Sequence, residues 1–299
     1  MQIDIIGVPI DLGADRRGVD MGPSAIRYAH LHQKLGELGY TLEDKGNIEV
    51  PILETCQITD PRLKYLDCIL PMGRRIAGAV ATSIQGKHFP LVLGGDHSLS
   101  VGSIRGAAKH KKLGVIWVDA HADFNTAETT PSGNIHGMPL AALCGLGDPR
   151  LVCLWDETPP VIDPKRVAVI GARDLDLGEK RNLREAGVMV QSMEQIDRIG
   201  MVSAIEKAVD RVSRDVDGIY LSFDMDSLDP RHAPGRSLAA HKPTLEIPGH
   251  AVGSIRRLMV DSGAYLRRPS PTSAFVDWTE ASPVGDDADI AEDELALLV

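Results

Sequence analysis

Six short apolar runs, rich in β-branched residues, constrain this chain more than any other feature. They are IDIIGVPI (3–10), FPLVLGG (89–95), LGVIWVD (113–119), RVAVIGA (166–172), GIYLSFD (218–224) and SAFVDW (273–278). Each has the length of a strand and is apolar almost throughout instead of alternating. A strand apolar on both sides has to be covered on both faces, which points to a parallel sheet between layers of helices. The intervening segments supply those helices, because apolar residues recur at helical spacing in 22–38, 98–110, 178–188 and 200–214. The clearest stretch is SMEQIDRIGMVSAIEKAVDRV, where Ile205, Ala208, Val209 and Val212 form one stripe with Glu206, Lys207, Asp210 and Arg211 off it. The expected fold class is therefore α/β, a single three-layer domain over residues 1–299 with a central parallel sheet flanked by helices on both faces. The Pro- and Gly-rich segment 144–164 reads as a long surface loop. In open parallel sheets ligands bind beyond the carboxyl ends of the strands, so the chemistry is expected there.

Charge narrows the partners. The 299 residues carry 32 Lys and Arg against 42 Asp and Glu, a formal net charge of −10 without any basic block. Neither nucleic acid nor an anionic membrane surface has electrostatic support as a partner. The N-terminal MQIDIIGVPID lacks a basic flank and holds Asp4 inside its apolar run, so it reads as a strand and not as a signal peptide. No apolar run approaches the roughly 20 residues of a membrane span. A soluble, cytoplasmic protein is expected. Its four cysteines, Cys56, Cys68, Cys144 and Cys153, show no CxxC spacing and are expected to be reduced thiols.

Three of the strands run into metal-type side chains. Run 89–95 leads into Asp96-His97, run 113–119 into Asp119-Ala120-His121-Ala122-Asp123, and run 218–224 into Asp224-Met225-Asp226. If these segments stay extended, residues two apart share a side, so Asp119, His121 and Asp123 converge and so do Asp224 and Asp226. Four clustered carboxylates without a cation would repel or be forced to protonate. Mixed carboxylate and imidazole donors suit a divalent ion such as Mn²⁺. His97, Asp119, His121, Asp123, Asp224 and Asp226 are too many for one ion with an open position, and suit two ions about 3.5–4 Å apart with bridging carboxylates.

The motifs GGDHS (94–98), DAHAD (119–123) and SFDMDSLDP (222–230) resemble those of the ureohydrolases, the family of arginases and agmatinases. The resemblance begins at IGVPIDLGADRRGVDMGPSAIR and extends to about residue 235. SGNIHGMPLA (132–141) and RDLDLGE (173–179) resemble the arginase branch, of bacterial type. What the resemblance implies is an arginase/deacetylase-like fold and two Mn²⁺ ions per subunit. One ion would be held by His97, Asp119, Asp123 and Asp224, and the other by Asp119, His121, Asp224 and Asp226. The implied reaction takes L-arginine to L-ornithine and urea by attack of a metal-bridging hydroxide, with Asp123 orienting it and His136 as proton shuttle. Asn125 and Ser132 would receive the substrate α-carboxylate, and Asp176 and Glu179 would serve its α-amino group. A homo-oligomer, hexameric or trimeric, is also implied.

The pattern changes after Pro234. The family's Gly-Thr-Pro run and later Arg-Glu pair are replaced by GRSLAAHKPTLEIPGH (235–250), with Pro248 where a helix would be under way. FVDWTEASP (275–283) stands where the family has Glu-Val-Asn-Pro, so Glu280, or in another register Asp277, takes the part of the guanidinium anchor. Other functions the sequence leaves open are an agmatinase, guanidinobutyrase or formimidoylglutamase, and a catalytically impaired homologue, while two complete metal shells disfavour a zinc deacetylase on a related fold.

Overall fold

A computed structural model describes residues 2–109, 111–155 and 159–229, and the backbone of the strand at 273–279. The six apolar runs all form strands, and two edge strands join them. In chain order the elements are β1 (Gln2–Val8), α1 (Gly22–Tyr28), α2 (Leu31–Glu37), β2 (Thr41–Asn47), α3 (Leu66–Gln85), β3 (Phe89–Gly94), α4 (Ser100–Ala108), β4 (Leu113–Val118), α5 (Pro139–Leu143), α6 (Pro149–Val152), β5 (Val167–Ala172), α7 (Leu177–Ala186), β6 (Met189–Ser192), α8 (Met193–Ile199), α9 (Met201–Val212), β7 (Gly218–Asp224) and β8 (Ser273–Thr279).

The strands make one eight-stranded sheet in the order β2-β1-β3-β8-β7-β4-β5-β6, and every pair is parallel. Side chains alternate between two apolar cores, one on each face. On β4, Val115 and Trp117 pack with Met72, Ile104 and Leu140 from α3, α4 and α5. Ile116 and Val118, between and after them, pack with Leu35, Ile205 and Ala208 from α2 and α9. Continuous apolarity in the strands is thus the consequence of burial from both sides.

The helices differ from the sequence reading in detail. The expected helix 22–38 is broken into α1 and α2 at His30, whose φ of 62° is left-handed. The segment 192–212 is likewise broken at Gly200, with φ 82° and ψ 151°, a conformation that glycine adopts without strain. Within α9 the stripe holds, with Ile205, Ala208 and Val212 buried and Val209 partly so. The twenty-residue α3, β2 and β6 were not expected. Segment 144–164 is more than a surface loop, since it contains α6 and buries Leu151, Val152, Leu154 and Ile162.

The expectation of four reduced thiols is corrected by a disulfide between Cys56 and Cys68. The chain from 56 turns back onto the first turn of α3, where Thr59 Oγ1 donates to Asp67 Oδ2 at 2.9 Å, and brings the two Cα atoms to 6.5 Å. Cys144 is buried and free, its thiol pKa pushed up by burial, and Cys153 is exposed and free. Thiol titration of the denatured, unreduced protein should therefore count two sulfhydryls, rising to four after reduction. A count of four before reduction would refute the bridge.

Candidate metal centre

The order of the sheet brings distant motifs together. β8 and β7, last in the sequence, lie between β3 and β4. The carboxyl ends carrying 96–97, 119–123 and 224–226 therefore sit on one edge. Val118 of β4 stands level with Phe223 of β7, so Asp119 and Asp224 leave the sheet side by side.

The side chains converge by a route other than strand alternation. β4 has ended at Val118, and the chain turns at once. Asp119 Oδ1 accepts the backbone N–H of His121 at 2.7 Å. Asp224 Oδ1 accepts that of Asp226 at 2.8 Å, and Asp96 Oδ1 that of Ser98 at 2.9 Å. In each case a carboxylate at a strand end folds the chain by bonding two residues ahead, the local habit of Asp in turns. Asp123 completes its turn with a left-handed φ of 49°, which Asp tolerates better than most residues.

Two groups of donors result. His97, Asp119 and Asp123 have ligand atoms within 4.8 Å of one another, and so do Asp119, His121 and Asp226, with Asp119 common to both. His97 Nδ1 lies 3.1 Å from Asp119 Oδ2, 3.1 Å from Asp123 Oδ2 and 3.3 Å from Asp224 Oδ2. Buried among three carboxylates, it makes no hydrogen bond of proper geometry. Once its proton is displaced, Nδ1 would present a lone pair to a ring of anionic oxygens, an arrangement that fits a shared divalent cation. His121 Nδ1 stands 3.0 Å from Asp226 Oδ2 and 3.3 Å from Asp119 Oδ1.

The electrostatics agree with that fit. Burial pulls the imidazole pKa values of His97 and His121 down, but the adjoining carboxylates outweigh it and hold both well above the usual value. Burial opposes the Asp119 charge as well, yet His121 and His97 keep its carboxyl well below the ordinary range. Asp123 is pushed up to about 6, first by burial and then by the charge of Asp119. Surplus negative charge in a desolvated pocket is what a bound cation relieves.

The other expected residues lie outside the two donor groups. Asn125, buried, donates from Nδ2 to Asp176 Oδ2 at 3.0 Å. The buried Glu179 carboxylate accepts the N–H groups of Phe124 at 2.9 Å and Asp176 at 3.3 Å, and burial pushes it up to about 7. The half-buried His136 lies in a 3-10 turn, and its electrostatic influence is among those that lower the Asp123 pKa. Ser132 is exposed and accepts the Asn134 N–H at 3.2 Å. Asp277 lies on β8 in register with Val92 and Ser222, while Glu280 and the 235–250 stretch lie outside the described residues.

The structure adds residues that the sequence did not single out. Ser222 Oγ lies 2.7 Å from His97 Nε2, which leaves Nδ1 for the carboxylate ring. The Trp117 ring stacks on His97 at 3.9 Å between centroids, and its Nε1–H donates to Asp119 Oδ2 at 2.9 Å. Arg173 donates to the backbone carbonyls of Asp226 and Ser227 and so holds the turn that carries Asp226. Such outer partners orient ligands and tune them. A Ser two residues before a strand-end Asp is the only cue the sequence offers for Ser222.

Residues 1–241 match the profile of the Arginase family. The chain is 53% identical to an arginase of Bacillus subtilis (strain 168) over 234 residues, 78% of each chain. It is 49% identical to an arginase of Bacillus caldovelox over 235 residues, again 78% of each. The crystal structure of Bacillus caldovelox arginase superposes with a TM-score of 0.88 at 40% identity, covering 99% of this chain and 95% of the other.

Removing the His97 partner provides a test that needs no substrate. Ser222→Ala should weaken binding of a divalent ion by about 10–100-fold, the usual consequence of deleting an outer-shell hydrogen bond, measured by calorimetric titration with Mn²⁺. Unchanged affinity would remove Ser222 from the support of the site.

Proposed function

We propose, from the premise that this chain belongs to the arginase family, that it hydrolyses L-arginine to L-ornithine and urea at a centre of two Mn²⁺ ions. The observation that carries the reading is the pair of donor groups that share Asp119, set at the carboxyl ends of β3, β4 and β7. The donor set fits two ions: His97, Asp119, Asp123 and Asp224 for one, and Asp119, His121, Asp224 and Asp226 for the other. When bound, such a pair supplies the Lewis acidity that brings a water molecule to deprotonation near neutral pH.

The chain's own residues then have distinct tasks. Asp123, buried and held in its turn, orients the attacking water toward the guanidinium carbon. The bond from that carbon to the ε-nitrogen of the substrate side chain breaks, and His136 gives the departing amine its proton. Urea keeps the guanidinium carbon and the oxygen of water. Asn125 and Ser132 receive the substrate α-carboxylate. Asp176 meets the α-amino group, and Glu179 serves it by fixing the Asp176 backbone. Glu280 anchors the guanidinium by a charge-assisted hydrogen bond, in preference to Asp277. The acidic cluster and the negative balance of the chain favour a cationic substrate.

The proposal includes one ureohydrolase domain over residues 1–299, a trimeric or hexameric assembly and a cytoplasmic location, all carried by the resemblance. No helix among the described residues is long and apolar enough to cross a membrane. The Cys56–Cys68 bridge runs against the location, since disulfides are uncommon in the cytosol.

A urea assay with Mn²⁺ across arginine, agmatine and guanidinobutyrate decides the matter. Arginine should be turned over, and Asp123→Asn should lower kcat by about two to four orders of magnitude, the range for losing a proton-handling group. His121→Ala should reduce bound Mn²⁺ from two ions toward one per chain, read by metal analysis. Two bound ions without turnover of any guanidino compound would overturn the reading, and preference for agmatine would reassign the substrate.

A further inference from the structure

The run Gly94-Gly95-Asp96-His97 contains one carboxylate that the metal centre does not use. Asp96 is completely buried, at 0% exposure, one residue before His97. Its Oδ1 accepts the N–H of Ser98, and its Oδ2 accepts the N–H of Gly13 from the loop after β1 at 2.8 Å. Gly13 passes the connection on, because its carbonyl accepts the backbone N–H of His136 at 3.1 Å. A second tie joins the same two loops, with Asn134 Nδ2 donating to the Ala14 carbonyl at 2.9 Å. The base of the arrangement is fixed to β1, since Gly95 N–H donates to Val8 O at 3.0 Å and Asp96 N–H to Ile10 O at 2.8 Å.

We infer that Asp96 is a positioning residue for His136, acting through Gly13: the carboxylate sets the β1 loop, and the loop sets the turn that carries the imidazole. A buried carboxylate is retained only where donors satisfy it, and here both oxygens are engaged by backbone N–H groups from different segments. Position 13 admits no side chain, for a Cβ would come within 2.5 Å of Asp96 Oδ1 and 2.6 Å of Ser98 Oγ. The contact is therefore as close as the backbone allows, and the position of His136 follows from that of Asp96. A group that must transfer a proton to a departing amine depends on placement within a fraction of an ångström, so a remote fault in the strut reaches the rate.

The catalytic half of this inference rests on the proposed role of His136, while the structural half does not, and the experiment separates them. On the full chain, amide hydrogen exchange is followed over residues 134–138 with and without Mn²⁺, alongside Mn²⁺ titration and arginine kinetics. The His136 amide should be protected in the parent protein. Asp96→Asn keeps the volume but puts an amide NH₂ where one acceptor stood. It should speed exchange at 134–137 by about tenfold or more, the effect of freeing a protected amide, with Mn²⁺ affinity held within about threefold. It should also lower kcat by about 10–100-fold with KM nearly unchanged, and cost less than about threefold when made in a His136→Ala protein, since effects that pass through one residue do not add. Gly13→Ala, which forces the strut apart but leaves the carboxylate in place, should give the same pattern and stands in if Asp96→Asn does not fold. An unprotected His136 amide in the parent overturns the strut. Equal losses in the His136 and His136→Ala backgrounds, or a loss traced to Mn²⁺ affinity, overturn the positioning of His136 and make Asp96 a support of His97. A fully active His136→Ala protein instead refutes the proton-donor role, leaving the exchange result to judge the strut.

Discussion

Negative charge without water around it is the condition that this architecture is arranged to meet. Asp119, Asp123, Asp224 and Asp226 are all buried at the edge of one sheet, together with two imidazoles. Carboxylates in such a place are tolerable only if each is turned toward a donor or a cation. The structure does part of this with its own backbone, as three strand-end aspartates fold the chain by capturing an N–H two residues ahead. The remaining charge suits a bound cation, and His97 Nδ1 stands among three of the anionic oxygens that could hold one with it.

Rigidity comes from outside the donor ring. Trp117 belongs to the apolar core on one face of β4, yet its ring lies flat on His97 and its indole N–H reaches Asp119. Ser222 fixes the far nitrogen of His97 from β7, and Arg173 grips the carbonyls beyond Asp226. The candidate ligands sit in short turns that leave directly from strands of the core. Packing of the core and placement of these donors are therefore one problem.

The sheet and its ligand motifs were legible because apolar runs and clustered charges are local signals. What the sequence concealed has physical causes. β2 is largely exposed and lacks an apolar pattern, since an edge strand needs burial on fewer sides. α3 carries Pro71 inside it, a residue that argues against a helix, although Leu66, Ile69, Leu70, Ile76, Ala77 and Val80 have helical spacing and are buried. The breaks at His30 and Gly200 arise from single left-handed or glycine-only conformations that periodicity cannot register. The expected donor residues do lie close together, but through side-chain-capped turns and not by extension of the strand. Trp117 and Arg173 gave no local sign, and Ser222 only its place two residues before Asp224, because their importance lies in contacts across the fold. The Cys56–Cys68 pairing depends on how the chain doubles back before α3, which spacing alone does not disclose.

The position of β8 has a consequence for the order in which the molecule can assemble. It is the last described strand in the chain but the fourth of eight in space, with Leu91 of β3 opposite its Val276 and Ser222 of β7 opposite its Asp277. The half of the sheet that carries His97 and the half that carries Asp119 and Asp224 are therefore bridged by a strand that is synthesised after both. Contacts so distant in sequence form slowly, because a long loop must close before any pairing rewards it. Until β8 inserts, the nascent chain presents two open sheet edges, β3 on one side and β7 on the other, and this interval is when the protein is most exposed to wrong pairings.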